Sequence, residues 1–200
     1  MDLPLRTRTP DAWGHSVLSE PLALLSDHAY LERKAASNAL ELLNRWPEPE
    51  YPKDWTTMLA GIARDEAAHL NSVNKILLRR GGRLERLHRC DYAADLRGLV
   101  RQGRNREELV DRLLVSALIE ARSCERFDVL RRTAGDRELK ELYDTLWASE
   151  HGHHRLFLRL AAYARPEEEV NRRWEEMLSA EAKIIQKQKP GPRIHSGLPV

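Results

Sequence analysis

Residues 55–80, WTTMLAGIARDEAAHLNSVNKILLRR, and residues 139–160, LKELYDTLWASEHGHHRLFLRL, decide the fold. In the first, Trp55, Leu59, Ile62, Glu66, His69, Val73 and Ile76 recur at alternating steps of four and three, the seam a helix buries against antiparallel neighbours. In the second, Leu139, Tyr143, Leu146, Glu150, His153, Phe157 and Leu160 follow the same rule. Both seams are apolar except at their middle, where Glu-x-x-His interrupts them. Two further seams appear: Leu25, His28, Glu32, Ala35, Ala39, Leu42, Trp46, and Val110, Leu113, Ala117, Glu120, Cys124, Phe127. Every seam carries a mid-height glutamate.

Proline and glycine cut the chain around these seams. Pro21 opens a helix to about residue 46, before the Pro47, Pro49, Pro52 cluster; Asp54 caps a second to about residue 80, ended by Gly81 and Gly82. A third runs over about 105–134 and a fourth, capped by Asp136, over about 136–165. Pro166 and three glutamates open an extra helix over about 166–188, leaving residues 189–200 as an extended tail. Period-2 alternation is absent, so the fold class is all-α: one domain over 1–200, a four-helix bundle with one long crossover.

Four carboxylates converging in an apolar core are severely destabilising unless something neutralises them. Two divalent cations would. Glu and His at i, i+3 share a helix face, so Glu66/His69 and Glu150/His153 can each offer an oxygen and a nitrogen, while Glu32 and Glu120 bridge or terminate. The set matches the established ligands of ferritin-like di-iron and di-manganese carboxylate bundles. With 20 Glu and 8 His in 200 residues, about 0.8 Glu-x-x-His would arise by chance. The chain has three, and Glu85/His88, lying among arginines with no seam, reads as a surface coincidence. Height separates the other two: Glu32 and Glu66 lie about 21 and 18 Å from the same end of their hairpin, and Glu120 and Glu150 are level in theirs. His28, one turn from Glu32, reads as a core or supporting histidine, and Cys124 as a small buried hydrophobe. His151 and His154 lie off the seam, as surface or supporting residues, and Asp65 reads either as an orienting partner of His69 or as an exposed acid.

Composition bounds the rest. With 42% apolar and 32% charged residues and mean hydropathy −0.60, with no apolar run of about 18 residues and no signal-like start, the expectation is a cytoplasmic protein without a membrane partner. Two cysteines without CxxC spacing exclude a disulfide framework or a zinc–thiolate fold. The net charge of +2 hides two basic zones on an acidic body: residues 79–106 hold nine arginines against three acids, and residues 183–200 hold four cations and no acid. Such zones fit a polyanion, with Arg79, Arg80, Arg83, Arg101, Arg104, Lys187, Lys189 and Arg193 as candidate contacts. Nothing in them resembles the acid-lined interior of an iron store.

YLERKAASNAL (30–40), RDEAAHLN (64–71), ALIEARSCERF (117–127), ASEHGHHRLF (148–157) and the tail PGPRIHSGLP (190–199) resemble the bacterial tRNA-(2-methylthio-N6-isopentenyladenosine) hydroxylase family over essentially the whole chain. The resemblance implies a non-haem di-iron monooxygenase that uses O2 to hydroxylate the isopentenyl side chain of a modified adenosine beside the anticodon. It places the iron ligands on Glu32, Glu66, His69, Glu120, Glu150 and His153. No GxGxxG is present, so electrons would come from a separate ferredoxin or reductase, with tRNA as the other partner. The alternative is a ferritin-like di-iron oxidase or iron-binding protein acting on a small molecule, its basic zones serving solubility alone.

Overall fold

Pro21 opens α2 (Pro21–Leu42), which pairs antiparallel with α3 (Trp55–Arg79); before them lies a short α1 (Asp11–Leu18). The computed structural model describes residues 3–49 and 51–199. Gly81 ends the second hairpin arm at φ +79°, a left-handed position that suits a residue without Cβ. The crossover that follows contains α4 (Asp91–Arg97) and runs to the opposite end of the bundle, where α5 (Arg106–Thr133) begins. α6 (Arg137–Glu150) and α7 (His153–Ala164) return along α5, and α8 (Glu167–Lys187) packs outside against α5, α4 and α7. Among the described residues there is no strand: the fold is the all-helical, ferritin-like bundle that the seams require.

The differences from the sequence reading have local causes. α2 stops at Leu42, short of Trp46, because the residue before Pro47 is driven out of the helical region. The fourth bundle helix is two helices, broken at His151 and Gly152 beside the site; Gly152 is the poorest helix former in that arm apart from proline. α1 and α4, of 8 and 7 residues, are too short to show a period. Asp136 caps α6 as expected, accepting from Leu139 N at 3.0 Å, but Asp54 caps nothing: its carboxylate takes the Tyr163 hydroxyl at 2.6 Å and Arg159 instead, tying α3 to α7.

The tail is not a solvated extension. Ile194, His195 and Ser196 are buried, and the segment is pinned at both sides: Ile194 N donates to Asp27 Oδ2 at 2.9 Å, Arg126 donates to Ser196 O at 3.1 Å, and Trp13 Nε1 donates to Ser196 Oγ at 3.0 Å. Gly197 lets the strap close, since a Cβ there would stand 1.8 Å from the Gln188 carbonyl oxygen.

α5 is the axis of the molecule. Of its 28 residues 18 are buried, on every face, because α1, α4, α6, α7 and α8 surround it. That burial includes charge. Arg122 donates to both oxygens of Glu181 at 2.8 and 3.0 Å and to Glu125 at 3.1 Å, and also reaches the carbonyl and hydroxyl of Thr7. Tyr92 donates to Glu181 and Thr9 to Glu125, so one guanidinium gathers α4, α8 and the N-terminal segment onto α5.

Candidate metal centre

The four mid-height glutamates and both seam histidines meet in the bundle core, all buried. Their ligand atoms form two overlapping quartets, each within 4.8 Å: Glu32, Glu66, His69, Glu150, and Glu66, Glu120, Glu150, His153. Glu66 and Glu150 belong to both. The sequence left Glu32 and Glu120 to bridge or terminate; the arrangement puts each of them in one quartet only, with the carboxylates of the two Glu-x-x-His motifs common to both.

Nδ1 of each ring faces inward. His69 Nδ1 lies 2.7 Å from Glu150 Oε1 and 3.6 Å from Glu66 Oε2, and His153 Nδ1 lies 2.8 Å from Glu150 Oε2 and 3.0 Å from Glu66 Oε1. His69 Nδ1 and both Glu150 oxygens make no aligned hydrogen bond despite these separations. Close, buried and out of line is how atoms stand when they point at a common centre rather than at one another, so the donor set fits two hard or borderline cations.

Outer partners hold the ligands. His69 Nε2 meets Ser149 Oγ at 2.9 Å, and His28 Nε2 meets Glu32 Oε1 at 2.6 Å. Asp65 does not orient His69: it stands 3.7 Å from His153 Nε2, because its side of α3 looks onto α7, and Arg64 holds it. His28 is buried, stacked on Tyr143, and burial lowers its pKa to about 3, so it supports Glu32 as a neutral ring. Of the off-seam histidines, His154 is buried and His151 half-buried against Trp147. Glu85 is exposed as expected, but His88 is not a surface residue: it packs on Tyr30 and bonds Asp27 at 2.6 Å, the same carboxylate that pins the strap. Both cysteines are free and buried.

Protons distribute unevenly over the cluster. Burial raises Glu32 and Glu120 well above the carboxylate range, and the Glu66 and Glu150 carboxylates raise them further. Burial opposes charge on the histidines too, yet the carboxylates of Glu150 and Glu66 against each ring outweigh it, lifting His69 to about 9 and His153 to about 11. Burial also opposes charge on Glu66 and Glu150, and the same two rings hold both acids low nonetheless. Two imidazolium rings thus face two carboxylates near neutral pH, with Glu32 and Glu120 the acids most disposed to hold a proton. Were these six groups to ligate two divalent cations, all would have to be deprotonated, so loading should release at least two protons, one from each histidine, with any held by Glu32 and Glu120 in addition. The raised groups hold protons below their pKa values, so affinity should rise with pH through neutrality and level off above about 9–11. Calorimetry in buffers of different ionisation enthalpy counts these protons; one or none would contradict this charge balance.

The candidate polyanion contacts do not form one patch. Arg79 and Arg80 sit at the α3 end, paired with Glu138, and Arg80 also with Asp136. Arg104 lies before α5 at the opposite end, about 40 Å away along the bundle, and lines a polar cleft of about 730 Å³ with Arg45 and Arg165. Arg101 is engaged by buried Asp111 at 2.8 Å. Arg83, Lys187, Lys189 and Arg193 are exposed. A cluster the sequence reading missed lies nearer the centre: Arg33, Lys34, Arg97 and Arg112 border a groove of about 340 Å³ between α2, α4 and α5. Arg33 and Lys34 directly follow Glu32 in YLERK, and that adjacency was the available signal.

Among the described residues no helix is long and apolar enough to cross a membrane. By fold the chain is similar to a Synechococcus protein described as having aldehyde deformylating oxygenase activity, with TM-score 0.87 and 34% identity over 98% of this chain and 97% of that one. Two relatives carry the name tRNA 2-(methylsulfanyl)-N(6)-isopentenyladenosine(37) hydroxylase. The Pseudomonas putida protein is 39% identical over 100% of this chain and 95% of its own length, and the Salmonella typhimurium protein is 27% identical over 98% and 88%. Residues 2–196 match the family model described as tRNA-(MS[2]IO[6]A)-hydroxylase (MiaE), and with that match and the 39% identical relative the chain belongs to this tRNA hydroxylase family.

Proposed function

We infer that the protein hydroxylates the isopentenyl group of 2-methylthio-N6-isopentenyladenosine beside the anticodon of tRNA, using O2 at a carboxylate-bridged di-iron centre. The observation that carries this is the pair of overlapping quartets sharing Glu66 and Glu150, in a chain of this family. Glu66 and Glu150 would bridge; Glu32 with His69, and Glu120 with His153, would complete one iron each. Bound iron supplies the reduction of O2 that inserts one oxygen into a C–H bond.

The rest is the chain's own work. His28 and Ser149 hold Glu32 and His69 in orientation. Leu31, Ile119, Phe127 and Ile194 line a small inner pocket with Glu32, Glu66, Glu120 and Glu150, an apolar wall that seats a prenyl methyl and keeps bulk water from the reacting centre. Electrons come from a separate ferredoxin or reductase, and the site of action is the cytoplasm, where tRNA is modified.

Iron-loaded protein given electrons, O2 and prenylated tRNA, followed by mass spectrometry of the nucleosides, tests the reading. A gain of one oxygen on the modified adenosine is expected. No gain, with turnover of a small apolar substrate instead, would establish the small-molecule oxidase in its place.

A further inference from the structure

We propose that the groove between α2, α4 and α5 is the port through which the modified nucleotide enters while still part of an RNA strand, its phosphates held by Arg33, Lys34, Arg97 and Arg112. This rests on the functional reading above. The groove and the inner pocket share Leu31, Ala35, Ile119 and Glu120, so the groove adjoins the acid cluster with only these side chains between them. Its volume of about 340 Å³ lies within the roughly 300–1,000 Å³ of small-molecule sites, enough for a purine with a short branched chain.

Its chemistry is divided as such a nucleotide is. The floor is apolar, from Leu31, Ile119 and their neighbours, and suits a prenyl group and a thioether. Cations come to the edge from three separate helices: Arg33 and Lys34 from α2, Arg97 from α4 and Arg112 from α5. Arg33 and Lys34 stand 4.4 and 5.1 Å from the Tyr30 ring, which also stacks on His88, so the ring steadies both cations at the groove edge. Arg112 pairs with Glu108, and the one acid of the groove edge, Glu41, is engaged by Arg45 at 2.9 Å. Arg33 and Arg97 are exposed. A free nucleoside has no phosphate to meet these cations; a nucleotide within a loop brings phosphates on both sides, and unpaired bases to stack.

The test uses an isopentenylated anticodon stem–loop RNA. The Arg33→Gln/Arg97→Gln double variant is compared with the parent by anisotropy across a salt series, with hydroxylation of the same RNA and of the free nucleoside measured beside it. Affinity should fall about 10- to 100-fold and the salt slope flatten by about one to two units, since each phosphate contact adds about 0.7 to 0.9. Iron content and turnover of the free nucleoside should match the parent. Unchanged affinity and slope would overturn the proposal, as would an equal loss in Arg79→Gln/Arg80→Gln, which would move the binding face to the α3 end. If RNA binding depends on Arg33 and Arg97 but the parent leaves the RNA unhydroxylated, the reaction assignment fails and the port stands. If the parent hydroxylates the RNA and the double variant binds it undiminished, the port fails alone.

Discussion

If the proposed di-iron assignment holds, Glu66→Ala or Glu150→Ala should strip the centre of both irons, whereas Glu32→Ala or Glu120→Ala should leave about one. The difference follows from geometry: Glu66 and Glu150 belong to both quartets, and each outer glutamate to one. A shared carboxylate also separates two positive ions, so its loss leaves mutual repulsion uncompensated in a low-dielectric core. Hydroxylation should fall at least about 10³-fold in all four variants, roughly 4 kcal/mol of barrier. The helices should persist, because removing a buried acid also removes its desolvation cost. Iron counted per chain after gel filtration, with circular dichroism on the same samples, separates loss of metal from loss of fold. Equal iron content in the bridging and outer variants would refute the assignment of bridges.

The second large effect is on stability. Arg122→Ala should cost about 3–5 kcal/mol, because it leaves Glu181 buried beside no cation and Glu125 with Arg126 alone, at 3.9 Å. Burial opposes charge on this guanidinium, but Glu181, Tyr92 and Glu125 raise its pKa nonetheless, so Arg122 stays charged at every accessible pH. The double change Arg122→Met/Glu181→Gln removes both charges of the main pair and should recover a large part of the loss. Denaturant midpoints at constant m-value measure both. A loss under about 1 kcal/mol in Arg122→Ala would mean that apolar packing alone holds α8 and the N-terminal segment on α5.

In a helical bundle, position along the chain converts directly to height, and that made the centre legible: four seams with glutamates at matched heights fix which side chains meet. His28 was legible for the same reason, one turn from Glu32 on the same seam. Sharing was not, because spacing along each helix treats Glu32 and Glu66 alike, and only the offset between hairpins puts Glu66 in both quartets and Glu32 in one. The strap escaped because RIHSG has no period; its burial depends on Asp27, Arg126 and Trp13, more than 60 positions away. Arg122, Glu125 and Arg126 lie off the α5 seam, where no period marks them as buried; their burial comes from α1, α8 and the N-terminal segment, which cover that side of α5. The basic crossover misled in another way: charge density along the chain does not report where the chain goes, and Arg79 and Arg104 end at opposite ends of the bundle.

The burial of α5 on all sides carries a consequence for how the family can vary. Along α8 the buried positions Val170, Trp174, Met177, Leu178, Glu181 and Ile185 leave a solvent stripe on which most residues are interchangeable, so substitution there is permitted with helical rhythm. α5 has no exposed stripe, and Arg112, Ile119 and Ser123 are half-buried along one line. Elsewhere on it a change has to be answered by a change on a different neighbour: α6 or α7 for one position, α8 or the N-terminal segment for the next. Divergence along α5 should therefore proceed through compensated pairs, more slowly than along α8 and with more covarying partners.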